Sequence, residues 1–242
     1  MTMDEIYTIE VYNGDTQLDA LVGLMEVDLS EPYNVFTYRF FVDQWPQLTF
    51  LAFAKDGALA EAPSAADVAS HAQKRCFYAP CRDGTWRRLV GGIVCKLDVA
   101  RRTGLRRGYI AMLAVDGAYR RHGIGRTITA RALDTMVAQG ADEITLETET
   151  TNAASLAFYE RFGFVRARLM PNYYLYAGDA YKLVLPLAAP PSCEPDDQLE
   201  LEEEPSAAKA EETKKAQSSQ NQHSGNGGNK KQKKGAKRKG RR

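Results

Sequence analysis

Apolar and polar positions alternate from Tyr7 to Tyr12, the period of a half-buried strand, and Asn13-Gly14-Asp15 then reads as a turn. Leu18, Leu21, Val22 and Met25 recur at helical spacing and predict a first helix, which Ser30-Glu31-Pro32 ends. An aromatic-rich helix is expected over Asn34–Val42, stopping before Trp45-Pro46, and an apolar strand over Leu48–Ala54. From Lys55 to Arg88 no period is sustained, so this stretch reads as a long hairpin insertion on the surface. Strands follow at Val90–Leu97 and Gly108–Val115. The second of these runs into Asp116-Gly117 and Arg120-Arg121-His122-Gly123-Ile124-Gly125. Beyond that loop, Ile128, Ala132, Leu133, Met136 and Val137 mark the inward face of a helix that Gly140 stops. Glu143–Thr148 alternates as a strand, Asn152 is a favoured N-cap for a helix over Ala153–Phe162, and Gly163 supplies its stop. Strands at Phe164–Leu169 and Asp179–Leu185 surround a Tyr173-Tyr174 loop. The order β-α-α-β-β-β-α-β-α-β-β is mixed α/β, with one crossover helix between strands expected to be parallel neighbours.

Composition changes this picture at one point. The 242 residues are 44% hydrophobic and 26% charged, but all twenty-three aromatic residues lie in the first 187. A folded domain over 1–187 is therefore expected, with 188–242 as a tail too poor in apolar side chains to offset its ordering entropy. The first 187 residues carry 20 Lys and Arg against 22 Asp and Glu, too balanced to hold nucleic acid by bulk charge. The tail is dipolar. Its nine acidic residues fall between Glu194 and Glu212, and eleven Lys and Arg with no acid fall from Thr213 onward, ending KKQKKGAKRKGRR.

Four cysteines show no CxxC pair and three scattered histidines give no zinc-ligand spacing, so no metal is expected. The acidic, alternating start is wrong for a signal peptide, and no apolar run approaches the ~18 residues of a membrane span. A reduced, cytoplasmic protein without membrane contact is expected, with nuclear access left open by the Lys/Arg-rich end.

Strand, glycine loop, helix is the design of an anion site. Gly123 and Gly125 permit positive φ and close approach, and the first free amides of the helix point at the ligand. No Gly-Lys-Ser/Thr follows, as a nucleotide P-loop requires, and only two of the three Rossmann glycines are present. Taken alone, a bare strand-to-helix turn explains the loop equally well.

Arg120-Arg121-His122-Gly123-Ile124-Gly125 resembles the Arg/Gln-x-x-Gly-x-Gly/Ala signature of the GNAT acetyltransferase superfamily. The runs SEPYNVFTYRFFVDQWPQLTF, RRGYIAMLAVDGAYRRHGIG, DEITLETETTNAASLAFYERFGF and NYYLYAGDAYKLVLPL further resemble the NatC-type N-terminal acetyltransferase catalytic subunits, over about residues 25–187. The resemblance implies a GNAT-like mixed, mainly antiparallel sheet with a splayed central strand pair and flanking helices. It implies acetyl-CoA as co-substrate, held by Arg120, Arg121, His122, Gly123, Ile124, Gly125 and Arg126, by Leu113, Ala114 and Val115 of the preceding strand, and by Asn152, Ser155 and Tyr159. It implies acetylation of an N-terminal methionine followed by a bulky apolar residue, with Glu31, Pro32, Tyr33, Tyr109, Tyr173 and Tyr174 around the peptide.

Acetylating an α-amine needs the neutral amine, and an α-ammonium ordinarily titrates near pH 8, so a proton acceptor and a donor for the departing thiolate are required. Glu147 shares a strand face with Thr145, away from Leu146, and Tyr159 projects with Asn152 and Ser155 from one side of its helix. The resemblance makes Glu147 the base, acting through water, and Tyr159 the acid at the coenzyme sulfur. Each residue also has an ordinary reading. Glu147 would be a surface carboxylate beside Glu143 and Glu149, Tyr159 a core aromatic packed with Phe158 and Phe162, Asn152 a helix cap, and His122 an exposed loop residue. Attack is expected to be direct, since no Cys or Ser sits in a nucleophile-and-base motif. Large scaffold and small Sm-like auxiliary subunits are implied as partners, and the basic tail suggests contact with ribosomal RNA. Acetylation of other N-termini or of lysine, or a catalytically silent RNA- or ribosome-binding module, are the alternatives.

Overall fold

The computed structural model describes residues 6–29, 33–64, 76–101, 103–174 and 178–187. The expectations placed on Glu31, Pro32 and the 188–242 tail lie outside the described residues.

One sheet organises the chain. Its strands are β1 (Tyr7–Val11), β2 (Thr49–Ala54), β3 (Phe77–Pro80), β4 (Trp86–Val99), β5 (Arg106–Val115), β6 (Glu143–Glu149), β7 (Val165–Met170) and β8 (Ala180–Pro186). They lie in the order β1-β2-β4-β5-β6-β8-β7, with β3 added against β4. All pairings are antiparallel except β5 with β6, which the crossover helix makes parallel. Helices α1 (Leu18–Asp28) and α2 (Val35–Gln44) cover one face, while α3 (Ile124–Ala138) and α4 (Ala153–Glu160) cover the other. None of the helices among the described residues is long and apolar enough to cross a membrane.

The helix boundaries follow from local chemistry. Asn34 opens α2 by accepting the Thr37 amide on its side chain at 3.1 Å, and Asn152 opens α4 by accepting the Ser155 amide at 3.0 Å. Gly163, at φ +93°, ends the turn after α4 in a conformation that other residues adopt at a cost. At Gly91 close approach is the reason for glycine, because an added Cβ would stand 2.6 Å from Cγ2 of Ile124. That contact seats the first residue of α3 directly on β4.

Two cores result, one on each sheet face. Leu21, Met25, Tyr38, Phe53 and Val94 pack beneath α1 and α2, whereas Ile93, Ile128, Met136, Ile144 and Leu146 pack beneath α3 and α4. Strand β5 serves both. Its register with β4 slips between Val94–Met112 and Cys95–Ile110, leaving Ala111 as an extra residue. Ile110 therefore belongs to the α3/α4 core, while Met112 and Ala114 belong to the α1/α2 core.

The sheet differs from the expected one in the 55–88 insertion. The insertion does contain a hairpin, but that hairpin joins the main sheet, with Phe77–Pro80 paired to Trp86–Leu89. Leu89 pairs with Phe53 of β2 and with Phe77 of β3, so β3 lies on the edge of β4 that β5 leaves after Val115. The strand was not legible because its short run, FYAP, is too brief to establish a period. For the same reason the loop motif follows the fifth strand rather than the fourth.

Candidate active site

Between β5 and α3 the chain turns through Arg121 at φ +67° and Gly123 at φ +81°. Both are left-handed conformations, and a non-glycine residue holds one only where its surroundings determine it. The first intrahelical bond of α3 runs from the Thr127 amide to the Gly123 carbonyl at 2.9 Å, so the Ile124, Gly125 and Arg126 amides precede the helical ladder. At Gly125 an added Cβ would stand in ordinary contact with Val115 at 3.5 Å and Phe158 at 3.8 Å, so the bare backbone here lies between β5 and α4. Amide donors, the positive end of a helix and an absent side chain together suit an anion.

The parallel ladder of β5 and β6 covers only Arg107–Glu143, Gly108–Ile144 and Tyr109–Thr145. Beyond it the two strands part, and a cavity of about 450 Å³ opens between them and runs to the loop. Leu113, Ala114 and Val115 line it from β5, Arg120 and Gly125 from the loop, and Asn152, Ser155 and Tyr159 from α4. A long, narrow ligand with an anionic end fits this shape, because the parted strands offer main-chain groups along its length and the loop offers amides at its end.

Glu147 and Tyr159 both line this cavity. The Glu147 carboxylate accepts the Tyr109 hydroxyl, and burial together with that carboxylate, then Tyr173, holds the Tyr109 phenol well above its ordinary pKa. Tyr33 and Tyr174 line the same end, and Tyr173 packs edge-on against Tyr174 with ring centroids 5.1 Å apart. Four tyrosines from three separate segments thus lie in or next to this part of the site, one of them bonded to the carboxylate. Tyr159 is 5% exposed and packs against Phe158 at 5.0 Å and Phe164 at 5.5 Å. Burial raises its pKa, so its hydroxyl keeps its proton at neutral pH and is available as a donor.

The remaining expected residues are placed as follows. Arg121, His122 and Arg126 are exposed beside the loop and do not line the cavity, and His122 Nδ1 stands 3.2 Å from the Tyr119 carbonyl. Ile124 is 1% exposed in the core, so only its backbone faces the loop. The Ser155 hydroxyl accepts Thr148 Oγ1 at 3.0 Å, and Asn152 both caps α4 and lines the cavity. Tyr109 and Tyr173 stand behind the cavity wall rather than in it. Phe162 packs on Phe158 at 5.3 Å, while Phe164 takes the place beside Tyr159 that was expected of it. Residues of the wall that the sequence pattern did not single out include Leu29, Met112, Thr148 and Phe158. For Phe158 a signal existed, since it follows Ser155 by three positions on α4 and so shares its side.

The family model for the acetyltransferase (GNAT) family matches residues 25–164. The chain belongs to the GNAT acetyltransferase family. It is 38% identical to N-alpha-acetyltransferase 30 of Saccharomyces cerevisiae over 185 residues, 76% of this chain and 90% of the yeast protein. It is 41% identical to N-alpha-acetyltransferase 30 of Homo sapiens over 174 residues, 72% of this chain but only 39% of the human protein. Among solved structures, a NatC complex bound to Gag peptide and CoA has a chain that is 37% identical, with a TM-score of 0.59 over 75% of this chain and 99% of that one. Arabidopsis thaliana Naa50 in complex with the bisubstrate analogue CoA-Ac-MVNAL is 25% identical, with a TM-score of 0.56 over 75% and 99%. The mixed, mainly antiparallel sheet with its splayed central pair is the GNAT fold, and the co-substrate of the fold is acetyl-CoA.

The buried tyrosines of this GNAT domain generate a pH prediction. Tyr109 and Tyr159 hold their protons above the ordinary value near 10, and Tyr12 is pushed up to about 12, mainly by burial. Between the unfolded value and the folded ones, the native state binds more protons than the unfolded chain, so stability falls as pH rises. Urea midpoints should decline as the pH rises through about 10, with a shallower decline in Tyr159→Phe. A midpoint constant to pH 11 would contradict the burial of these phenols.

Proposed function

We propose that this chain transfers the acetyl group of acetyl-CoA to the α-amine of proteins that begin with methionine and a bulky apolar residue. The observation that carries the reading is that a carboxylate, Glu147, and a protonated phenol, Tyr159, face one cavity from opposite sides of the β5–β6 gap, with the amide loop at its end. Two similar structures hold ligands that unite these features, a Gag peptide with CoA in one and an acetyl link from CoA to MVNAL in the other.

In this mechanism the loop amides of Gly123 to Arg126 and the Arg120 side chain hold the pyrophosphate, and the parted edges of β5 and β6 hold the arm that carries the thioester. Glu147 takes a proton from the α-ammonium through water, with Tyr109 fixing the carboxylate by its hydrogen bond. The neutral amine attacks the thioester carbonyl. Sulfur leaves as the carbon–sulfur bond breaks and takes the Tyr159 proton, while the acylated nitrogen sheds its extra proton to water, from which the Tyr159 phenol is restored. Both proton transfers contribute to kcat on the usual scale of general acid–base groups. Glu147→Gln and Tyr159→Phe should each lower kcat by roughly 10²–10⁴-fold while acetyl-CoA affinity changes little. A loss confined to KM would make them binding groups instead.

Tyr33 and Tyr174 in the wall, with Leu29 beside them, make the peptide end of the cavity apolar and aromatic. The resemblance adds Glu31 and Pro32 to the residues that contact the peptide. Burying an unpaired carboxylate there is costly, so peptides that begin Met-Leu, Met-Ile or Met-Phe should react far faster than Met-Asp, Ser or Ala peptides. Equal rates for Met-Leu and Met-Asp would favour a broader N-terminal or lysine acetyltransferase.

The NatC neighbour is a complex, and by resemblance this chain is its catalytic subunit, working with a large scaffold and a small Sm-like subunit. The eleven Lys and Arg after Thr213, with no aromatics to stack on bases, suit sequence-independent phosphate contact, and ribosomal RNA lies where nascent N-termini emerge. Truncation after Pro190 should leave peptide acetylation unchanged and reduce co-sedimentation with ribosomes at low salt, the difference vanishing as salt rises. Equal co-sedimentation of both forms at low salt would remove the tether.

A further inference from the structure

The loop assigned above to the pyrophosphate is anchored at its far end by α3, where Ile124 is buried on Gly91. Its near end begins in the turn Asp116–Tyr119. Within that turn Asp116 Oδ1 accepts the Ala118 amide at 2.9 Å, and the Asp116 carbonyl accepts the Tyr119 amide at 2.8 Å. These bonds shape the turn but do not attach it to the sheet. The Asp116 amide ties the start of the turn to the Val90 carbonyl of β4 at 2.9 Å, and the side-chain attachments come from the 55–88 insertion.

Arg88 Nη2 donates to Asp116 Oδ2 at 2.6 Å, with side chains only 22% and 11% exposed. The same guanidinium lies 5.2 Å from the centroid of the Tyr119 ring, within cation–π range. Tyr119 in turn donates its hydroxyl to Asp56, at 3.3 Å from Oδ1 and 3.4 Å from Oδ2. Its carbonyl is the atom that His122 approaches at 3.2 Å. None of Asp56, Arg88, Asp116 or Tyr119 lines the cavity. Asp56 and Arg88 stand at the two ends of the 55–88 insertion, and Arg88 is placed there by the pairing of β3, opposite Tyr78.

We propose that the two ends of the 55–88 insertion, Asp56 and Arg88, clamp the Asp116–Tyr119 turn and thereby set the backbone geometry of the loop that binds the acetyl-CoA pyrophosphate. The proposal rests on the reading of Arg120–Gly125 as that loop. Arg121 occupies a left-handed conformation, which a non-glycine residue holds only where its surroundings determine it. Releasing the near end lets the amides that must converge on the phosphates reorient, and the energy of ordering them again is drawn from coenzyme binding. Arg88 and Asp116 are therefore positioning residues. Their loss acts on acetyl-CoA affinity, not on the proton transfers made by Glu147 and Tyr159.

Calorimetry with acetyl-CoA and steady-state kinetics on Arg88→Met, Asp116→Asn and the double variant test this. Asp116→Asn is isosteric and keeps the acceptor for the Ala118 amide, so it carries the test even where Arg88→Met fails to fold. Each single variant should weaken acetyl-CoA binding about 3- to 30-fold, as residues coupled to a site through a network do. The double variant should be no weaker than the weaker single one, because one interaction has been removed twice. kcat and the peptide KM should stay within about twofold of wild type, and Arg88→Lys, which keeps the charge without the fork, should fall between. A merely structural pair would lower the melting temperature and leave acetyl-CoA KM unchanged, which overturns the clamp. So does weakened binding in Arg88→Met beside wild-type binding in Asp116→Asn, since Arg88 then acts on the anion itself. Gly125→Trp separates the two readings. If it abolishes binding while the Arg88 and Asp116 variants bind normally, the loop assignment stands and the clamp falls, whereas unchanged binding in a folded Gly125→Trp removes the loop assignment and the clamp with it.

Discussion

One extra residue in β5 decides the shape of the site. The bulge at Ala111 turns the strand over, so that Ile110 packs toward α3 and α4 while Met112 and Ala114 pack toward α1 and α2. Pairing with β6 ends at Tyr109, just before that residue. A bulge bends its strand and sharpens its twist, and a bent β5 that stays with β4 must leave β6. The gap between the two strands follows from this, as do the main-chain groups along its edges, which have no ladder partner across it. Both cores depend on the same inversion, because the apolar side chains of β5 supply them in turn along one strand.

Around the gap the chemistry is held by elements of different stiffness. Glu147 stands on β6 between its antiparallel partner β8, where it faces Lys182 in register, and the open edge. The Tyr109 hydroxyl fixes its orientation from the last paired residue of β5, so the carboxylate is supported by the part of the sheet that has not yet opened. Tyr159 is held differently, by the rings of Phe158 and Phe164 in a core that leaves it almost no exposure. Burial holds the Tyr159 phenol protonated, as the acid of the proposed mechanism requires.

Much of this was legible in the chain, and the limits have physical causes. Local signals carried Asn152 as a cap, Gly163 as a stop, the glycine loop, and the alternation that puts Glu147 away from Leu146. Resemblance carried the assignment of Glu147 and Tyr159, whose positions on one cavity no spacing within either element could establish. What remained hidden depends on register. The Ala111 bulge is visible only once β4 and β5 are aligned, β3 is too short to declare itself, and Arg88 meets Asp116 across 28 positions of sequence. Tyr109 illustrates the same limit. Its pattern reads as a half-buried strand residue, and its bond to Glu147 exists because Tyr109 and Thr145 are the last parallel pair before the strands separate.

The two ends of the cavity are built on different principles, and this bears on how specificity is divided. At the coenzyme end the contacts available are amides, a helix terminus and a missing side chain at Gly125, all backbone features that many side-chain choices leave intact. Under the proposed assignment such an end recognises a pyrophosphate without regard to what is acetylated. At the peptide end the wall is made by Leu29, Tyr33 and Tyr174, from the segment after α1 and the loop before β8, neither of which belongs to a strand or helix. Side chains on connections tolerate change more readily than those of the central sheet. In the proposed mechanism the sheet therefore fixes the position of the reacting groups once, and the choice of substrate is assigned to a few aromatic residues from segments far apart in the chain, outside the bulge, the gap and the loop.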